Sequence, residues 1–240
     1  MIILALDTAT ALLSVALSVG HDPAETWYVE IDAGQRHSEL LMDLIDSLLK
    51  TANIVPTDVD ALASMKGPGS FTGLRIGFST AQGIALALGV PSLSIPTLDC
   101  MAVPHQHWSG IVVPAIDAKK RCFFSALYRG VCDAHTAGRL TDYMDADSVA
   151  IAQALNAVTR DEPVLLTGPD AELLASALNE TPLFNKTLLR LDPIRRRGHA
   201  KELATLAQAK LAASSAADIA AELSSGLLYL RRSDAELRQP

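Results

Sequence analysis

The sequence predicts an α/β protein of two similar lobes, and three observations carry the prediction. First, residues 3–20 (ILALDTATALLSVALSVG) align without a gap on residues 113–130 (VPAIDAKKRCFFSALYRG) at a constant offset of 110. Ala5 then meets Ala115, Asp7 meets Asp117, Ala16 meets Ala126, Leu17 meets Leu127 and Gly20 meets Gly130. Second, each half alternates short apolar strands with amphipathic helices in the same order. Third, the glycine loop GPGSFTG (67–73) joins a strand to a helix in the first half. A repeat of supersecondary size implies a duplicated lobe, and mixed strand–helix alternation implies a layered α/β core.

The elements follow in order. Residues 3–7 form an apolar strand that ends in Asp7, and the polar turn after it leads to a second strand. There Leu13, Val15, Leu17 and Val19 alternate with Ser14, Ala16 and Ser18, the pattern of a half-buried strand. AETWYVEI (24–31) is a third strand with Trp27, Val29 and Ile31 on one side. HSELLMDLIDSLLK (37–50) places Leu40, Leu41, Leu44, Ile45, Leu48 and Leu49 at helical spacing. DALASM (60–65) is a strand, residues 72–88 a helix, and VPSLSI (90–95) a strand. The second half offers a strand near 164–167, a turn at Gly168-Pro169, a helix from Asp170 to Leu178 and a last helix over about 199–213. Strand–strand–strand–helix–strand–helix–strand, twice, is the duplicated actin-like (sugar-kinase-like, ribonuclease-H-like) pattern, in which nucleotide usually sits between the lobes. The expected lobes are 1–101 and 102–240, with the last helix able to fold back onto the first.

Composition narrows the function. The chain has 240 residues, of which 49% are hydrophobic, and mean hydropathy is +0.23, enough for a sizeable core. Lys+Arg of 20 against Asp+Glu of 27 gives −7, which argues against a domain that grips nucleic acid unaided. The cluster Arg195-Arg196-Arg197, with Arg190 and His199, is expected to be a solvated patch ahead of a helix. Cys100, Cys122 and Cys132 are odd in number with no C-x-x-C, as expected of reduced thiols in the cytoplasm. Residues 1–19 lack a basic leader and carry Asp7 where a membrane segment should be clean, so no membrane association is expected.

The glycine loop fails the stricter nucleotide tests. A Walker A loop needs a second glycine where Thr72 or Leu74 stands, and no lysine follows. The dinucleotide fingerprint fails at Thr72, and Ser70 directly follows Gly69, so there is no G-x-S-x-G elbow. The helix after the loop carries two rows of small residues: Gly73, Gly77 and Ala81, and Ser79, Gly83 and Ala87. Residues four apart share a helix face. Interior glycine costs about 1 kcal/mol relative to alanine, so close approach of another backbone is expected to offset the loss. The preferred arrangement sets one row against the protein's own sheet and the other against a partner helix.

GPGSFTGLRIGFSTAQGIALALGVP, preceded by RHSELLMDLI and ILALDTAT, closely resembles the bacterial TsaB (YeaZ) family over roughly residues 1–100. Beyond that, only IDAKKRCFFSALY and YLRR (229–232) are recognisable. The resemblance implies a non-catalytic, activating subunit of the machinery that installs threonylcarbamoyl on adenosine 37 of tRNA. It implies a heterodimer with the catalytic paralogue (TsaD-type) through a helical bundle, a P-loop ATPase subunit (TsaE-type) that joins later, and tRNA met only through the complex. A homodimer is expected in isolation. The expected partner interface is Leu40, Leu41, Leu44, Leu48, Gly73, Gly77, Thr80, Ala81 and Ile84, beside a glycine loop of Gly67, Gly69, Ser70, Thr72 and Gly73. The paralogue binds metal through H-x-x-x-H; at the matching place this chain has Thr97 and Met101. No catalytic residue, cofactor or metal is therefore expected, and Asp7 is expected to cap its turn rather than contact phosphate. The competing readings are a glycoprotease-like peptidase, which Ser70 with a distant His and Asp would have to serve, or a weak ATPase. The H-x-H pair His105 and His107 is a minor metal candidate. Which dimer dominates, and whether Arg195–Arg197 touch tRNA, stays open on the sequence.

Overall fold

A computed structural model describes residues 1–20, 25–129, 138–159, 161–181, 185–194, 196–215, 217–219 and 226–230. The first half runs β1 (Ile2–Asp7), β2 (Leu12–Val19), β3 (Thr26–Asp32), α1 (His37–Ala52), β4 (Ala61–Gly67), α2 (Phe71–Leu88), β5 (Ser92–Pro96) and α3 (Thr97–Ala102). The second runs β6 (Ile111–Asp117), β7 (Cys122–Ser125), β8 (Tyr128–Arg129), β9 (Met144–Asp147), α4 (Ser148–Val158), β10 (Val164–Thr167), α5 (Ala171–Glu180), β11 (Leu189–Leu191) and α6 (Ala200–Ala213). The sheets are ordered β3-β2-β1-β4-β5 and β9-β7-β6-β10-β11, the same walk twice. In both, the first two pairings are antiparallel and the last two parallel. This is the duplicated, two-lobed actin-like architecture.

The duplication is real in topology, but the gapless alignment slips at the turn. Ala5 pairs with Ala16 in β2, whereas Ala115 pairs with Ser125 in β7. The second hairpin is one residue tighter, so Ala126 and Leu127 are not the structural counterparts of Ala16 and Leu17. Its tight turn holds Lys119, Lys120 and Arg121 at φ of 63°, 56° and 64°, each costing roughly 1–2 kcal/mol for a side chain with a Cβ.

The strand β2 is not half-buried as its alternation suggested. Leu13, Val15 and Leu17 pack towards α1, while Ser14, Ala16 and Ser18 are equally buried on the other face. The helix α6 covers them, placing Ala200, Leu203, Ala204 and Ala207 over Ile3, Ala5 and Ala16. Small residues on both sides let helix and sheet approach. The first free N–H groups of a helix need partners, and the first sheet supplies three at and just before the start of α6. Gly198 N donates to Glu30 Oε2 (2.9 Å), His199 N to Asp7 Oδ2 (2.8 Å) and Ala200 N to Ser14 Oγ (3.1 Å). Conversely, α3 places Leu98, Met101 and Ala102 against Val112, Ile116 and Tyr128 of the second lobe. The last helix of each half thus reaches across to the other.

Candidate functional site

The glycine loop cradles the chain's own β1–β2 turn. Ser70 N donates to Ala9 O at 2.7 Å, and a Cβ on Gly69 would meet that same oxygen at 2.5 Å. A Cβ on Gly73 would collide with Thr8 O, and one on Gly77 with Thr8 Oγ1. The Thr8 hydroxyl, buried, donates to Gly73 O at 2.7 Å. Ser70 caps α2, its Oγ accepting from Gly73 N at 3.2 Å. Gly69, Gly73 and Gly77 are therefore each explained by an intramolecular neighbour, and the N–H groups of Ser70 and Gly73 are spent within the chain.

Between the lobes lies a crevice of about 680 Å³ lined by Thr10, Gly69, Ser70, Asp117, Lys119 and Asp170, among others. The actin-like architecture implies a nucleotide there, and the residues present do not fit a polyphosphate. In both turns the aspartate ending the first strand accepts from the N–H two residues on: Ala9 N to Asp7 Oδ1 (3.1 Å) and Lys119 N to Asp117 Oδ1 (2.7 Å). Leu12 N is held by Thr10 Oγ1, and Asp117 N by Asp170 Oδ2 at 2.7 Å. These turn N–H donors are committed within the chain, and the charge at the crevice is mixed: Lys119 is paired with Asp117 at 2.7 Å, and Arg196 stands with Asp170 in the same lining. Burial raises the Asp7 carboxyl above the usual range despite the nearby His199 and the two backbone N–H bonds.

The remaining chemical candidates are separated or occupied. Thr97 and Met101 are buried in α3. Between them Asp99 accepts from Tyr128 OH (2.8 Å) and Tyr143 OH (2.9 Å), which fastens α3 to the second lobe. Ser70 is engaged in its cap, and no His–Asp pair is placed beside it among the described contacts. His105, foreseen as a metal candidate with His107, instead lies beside Asp192, with Nε2 3.1 Å from Oδ2. Arg197 Nη2 lies 3.3 Å from the same Nε2, and Thr167 Oγ1 donates to Asp192 at 2.7 Å. These residues join the two segments that cross between the lobes. So of the arginine cluster, Arg197 is structural; Arg196 is exposed at the crevice, 3.8 Å from Asp32, and Arg195 falls outside the described residues, as do Cys132, Arg231 and Arg232. Among the described residues no three His, Cys, Asp or Glu side chains converge as a metal site, and no helix is long and apolar enough to cross a membrane.

The outer face of α1 and α2 differs from the expected interface. Gly73 and Gly77 are buried beneath the helix, against the turn, and Ala81, Leu41 and Leu48 belong to the lobe core. These five cannot form a free surface, and a large side chain at 77 is a folding defect. Leu40, Leu44, Thr80 and Ile84 are half-buried at the margin. The exposed row is the other one: Ser79, Gly83 and Ala87 face outward, and a Cβ on Gly83 would meet nothing within 4 Å. Between α1 and α2 runs a groove of about 500 Å³ lined by Met42, Phe71, Arg75, Ile76, Ser79 and Thr80. Met42, 54% exposed, also borders a second hollow of about 180 Å³ with Ile45, Leu49, Ile84 and Leu88. Met42, Phe71 and Arg75 carry no periodic signal that would have marked them.

Comparison with known proteins matches this architecture. The family model described as TsaD, tRNA N6-adenosine threonylcarbamoyltransferase, matches residues 30–237. The chain is 31% identical over 174 residues to the tRNA threonylcarbamoyladenosine biosynthesis protein TsaB of Bacillus subtilis, covering 72% of this chain and 73% of that one. It is 38% identical over 129 residues to the Escherichia coli protein of the same name, spanning 53% of this chain and 54%, about half, of that relative. A solved Pseudomonas aeruginosa protein, described as similar to peptidase YEAZ, superposes with a TM-score of 0.76 at 24% identity, over 96% of this chain and 99% of that one. The last likeness speaks for the fold alone. On the matched family model and the TsaB relatives together, the chain belongs to the TsaB (YeaZ) family.

Proposed function

We propose that the chain works in tRNA N6-threonylcarbamoyladenosine biosynthesis as a non-catalytic subunit, pairing with a transferase-type paralogue (TsaD-type) through its α1–α2 face. The single observation that supports it most is the exposed apolar groove along two helices, flanked by a glycine whose outer side is open. An unfilled apolar groove beside a smooth helix track suits a partner helix, because Gly83 permits close backbone approach at no gain to the chain alone. Thr97 and Met101 in place of imidazoles, and turns closed on themselves, favour an activating role over chemistry. The activating role is then to stabilise one conformer of the partner. A P-loop ATPase subunit (TsaE-type) joins the pair, tRNA is met through the assembly, a homodimer forms when the paralogue is missing, and the assembly works in the cytoplasm.

The test is to mix the chain with its transferase-type paralogue and measure mass and tRNA modification with and without it. An equimolar complex, and modification that depends on adding this chain, is the expected result. The variant Gly83→Leu should fold and fail to pair. No complex with the wild-type chain, or modification undiminished without it, refutes the reading.

A further inference from the structure

Residues 226–230 return from the far end of the chain to the glycine loop. Leu228 N donates to Lys66 O at 2.8 Å. Gly67, at φ 109°, leaves room for Leu228 O, which a Cβ there would meet at 2.5 Å. This contact sets Tyr229 over the first turn of α2. Its ring lies 5.2 Å from that of Phe71, tilted by 39°, and its hydroxyl accepts from Arg75 Nε at 3.2 Å. Arg75 Cζ stands 3.8 Å above the Phe71 ring. Phe71 and Tyr229 remain 40% and 42% exposed, so the stack forms no part of the lobe core, and Phe71 and Arg75 wall the groove.

The consequence is a guanidinium ordered before anything binds. A free arginine side chain carries about 2 kcal/mol of rotamer entropy, and its planar fork suits a carboxylate or phosphate. Two features favour a carboxylate on protein. The groove beside Arg75 sets Leu41, Met42, Phe71 and Ile76 among the hydroxyls of Ser38, Thr72, Ser79 and Thr80, a largely apolar lining that suits the side chains of a protein. The neighbouring helix α1 presents Glu39, Asp43 and Asp46 to solvent against Lys50, a poor approach for a polyanion.

Resting on the docking reading above, we infer that Arg75, held by Phe71 and Tyr229, is the specificity-determining residue of the α1–α2 face. It receives a carboxylate from the partner's helix. The carboxy-terminal segment thus belongs to the docking machinery through its hold on Arg75, and Tyr229 is a positioning residue.

The test measures binding to the transferase-type paralogue by calorimetry at low and high salt, with melting as a check on folding. Arg75→Gln should weaken pairing roughly tenfold or more and remove its salt dependence. Tyr229→Phe keeps the stack, loses the hydroxyl, and should weaken pairing several-fold with the salt dependence reduced. Arg75→Lys should not restore affinity. If the wild-type chain pairs but Arg75→Gln pairs with the same affinity and salt slope, this inference fails while the docking reading stands. If Arg75→Gln leaves pairing intact and instead weakens tRNA binding by the complex, the guanidinium serves RNA and the inference also fails. If the wild-type chain does not pair at all, both fall.

Discussion

One substitution at two positions on α2 separates the inward from the outward row. At Gly83, alanine supplies helix propensity worth about 1 kcal/mol, and its Cβ meets nothing within 4 Å. Gly83→Ala should therefore stabilise the chain, raising Tm by about 2–4 °C for a protein of this size. At Gly77 the same methyl strikes Thr8 Oγ1. Thr8 is 1% exposed, and its hydroxyl is committed to Gly73 O at 2.7 Å. Moving it forfeits a buried hydrogen bond, roughly 1–3 kcal/mol, and overpacking adds about 1–3 kcal/mol. After the propensity gain, Gly77→Ala should cost about 1–5 kcal/mol. Urea unfolding with intrinsic tryptophan fluorescence measures both, and an unchanged m-value certifies that only stability moved. A double-mutant cycle with Thr8→Ala should recover part of the Gly77→Ala loss. If Gly77→Ala is as stable as the parent, the glycines do not cradle the turn, and the account of the loop collapses.

Two further outcomes follow from the polar residues that join the lobes. Asp192→Ala removes the acceptor of Thr167 Oγ1 and Ile194 N and strands His105 and Arg197; it should cost about 2–4 kcal/mol, and a loss below 0.5 kcal/mol in urea unfolding would count against the clasp. Burial foremost, with the Arg197 and His199 charges, outweighs Asp192 and holds the His105 imidazole below its usual range. A depressed histidine contributes stability that is fully present above the unfolded value near 6.5 and is lost as pH falls through the folded one. Acidification from neutral pH should thus steepen unfolding in the parent. His105→Gln should flatten that part of the pH–stability curve, and an identical slope in both proteins would show that His105 does not contribute it.

Most of the architecture was legible because it rests on local patterns. Helical spacing in 37–50 and the apolar runs at 3–7, 60–65 and 164–167 mark elements that tertiary packing does not overturn. What sequence reading missed depends on contacts between distant residues. Ser14 and Ser18 look like a solvent face, yet α6, nearly two hundred residues later, lies on them, and Ser14 caps that helix through Ala200 N. The two small-residue rows of α2 are indistinguishable by composition. They are told apart by phase, since Gly73 begins one row and belongs to the loop that grips Thr8, so everything four residues on from it faces the same way. That argument could have been made from the chain alone, and it assigns Gly77 and Ala81 to the interior.

Tyr229 shows the opposite limit. Its partners Phe71 and Arg75 lie more than 150 residues earlier, and no periodicity links them, so only the fold brings the stack together. Positions of this kind are exposed, irregular in pattern and fixed by side-chain contacts, unlike the core. They can therefore differ between two chains of the same fold without disturbing either lobe. A docking face distinguishes one partner from another only through residues with that freedom, so on the proposed docking the wall of the groove would discriminate and its apolar floor would supply adhesion.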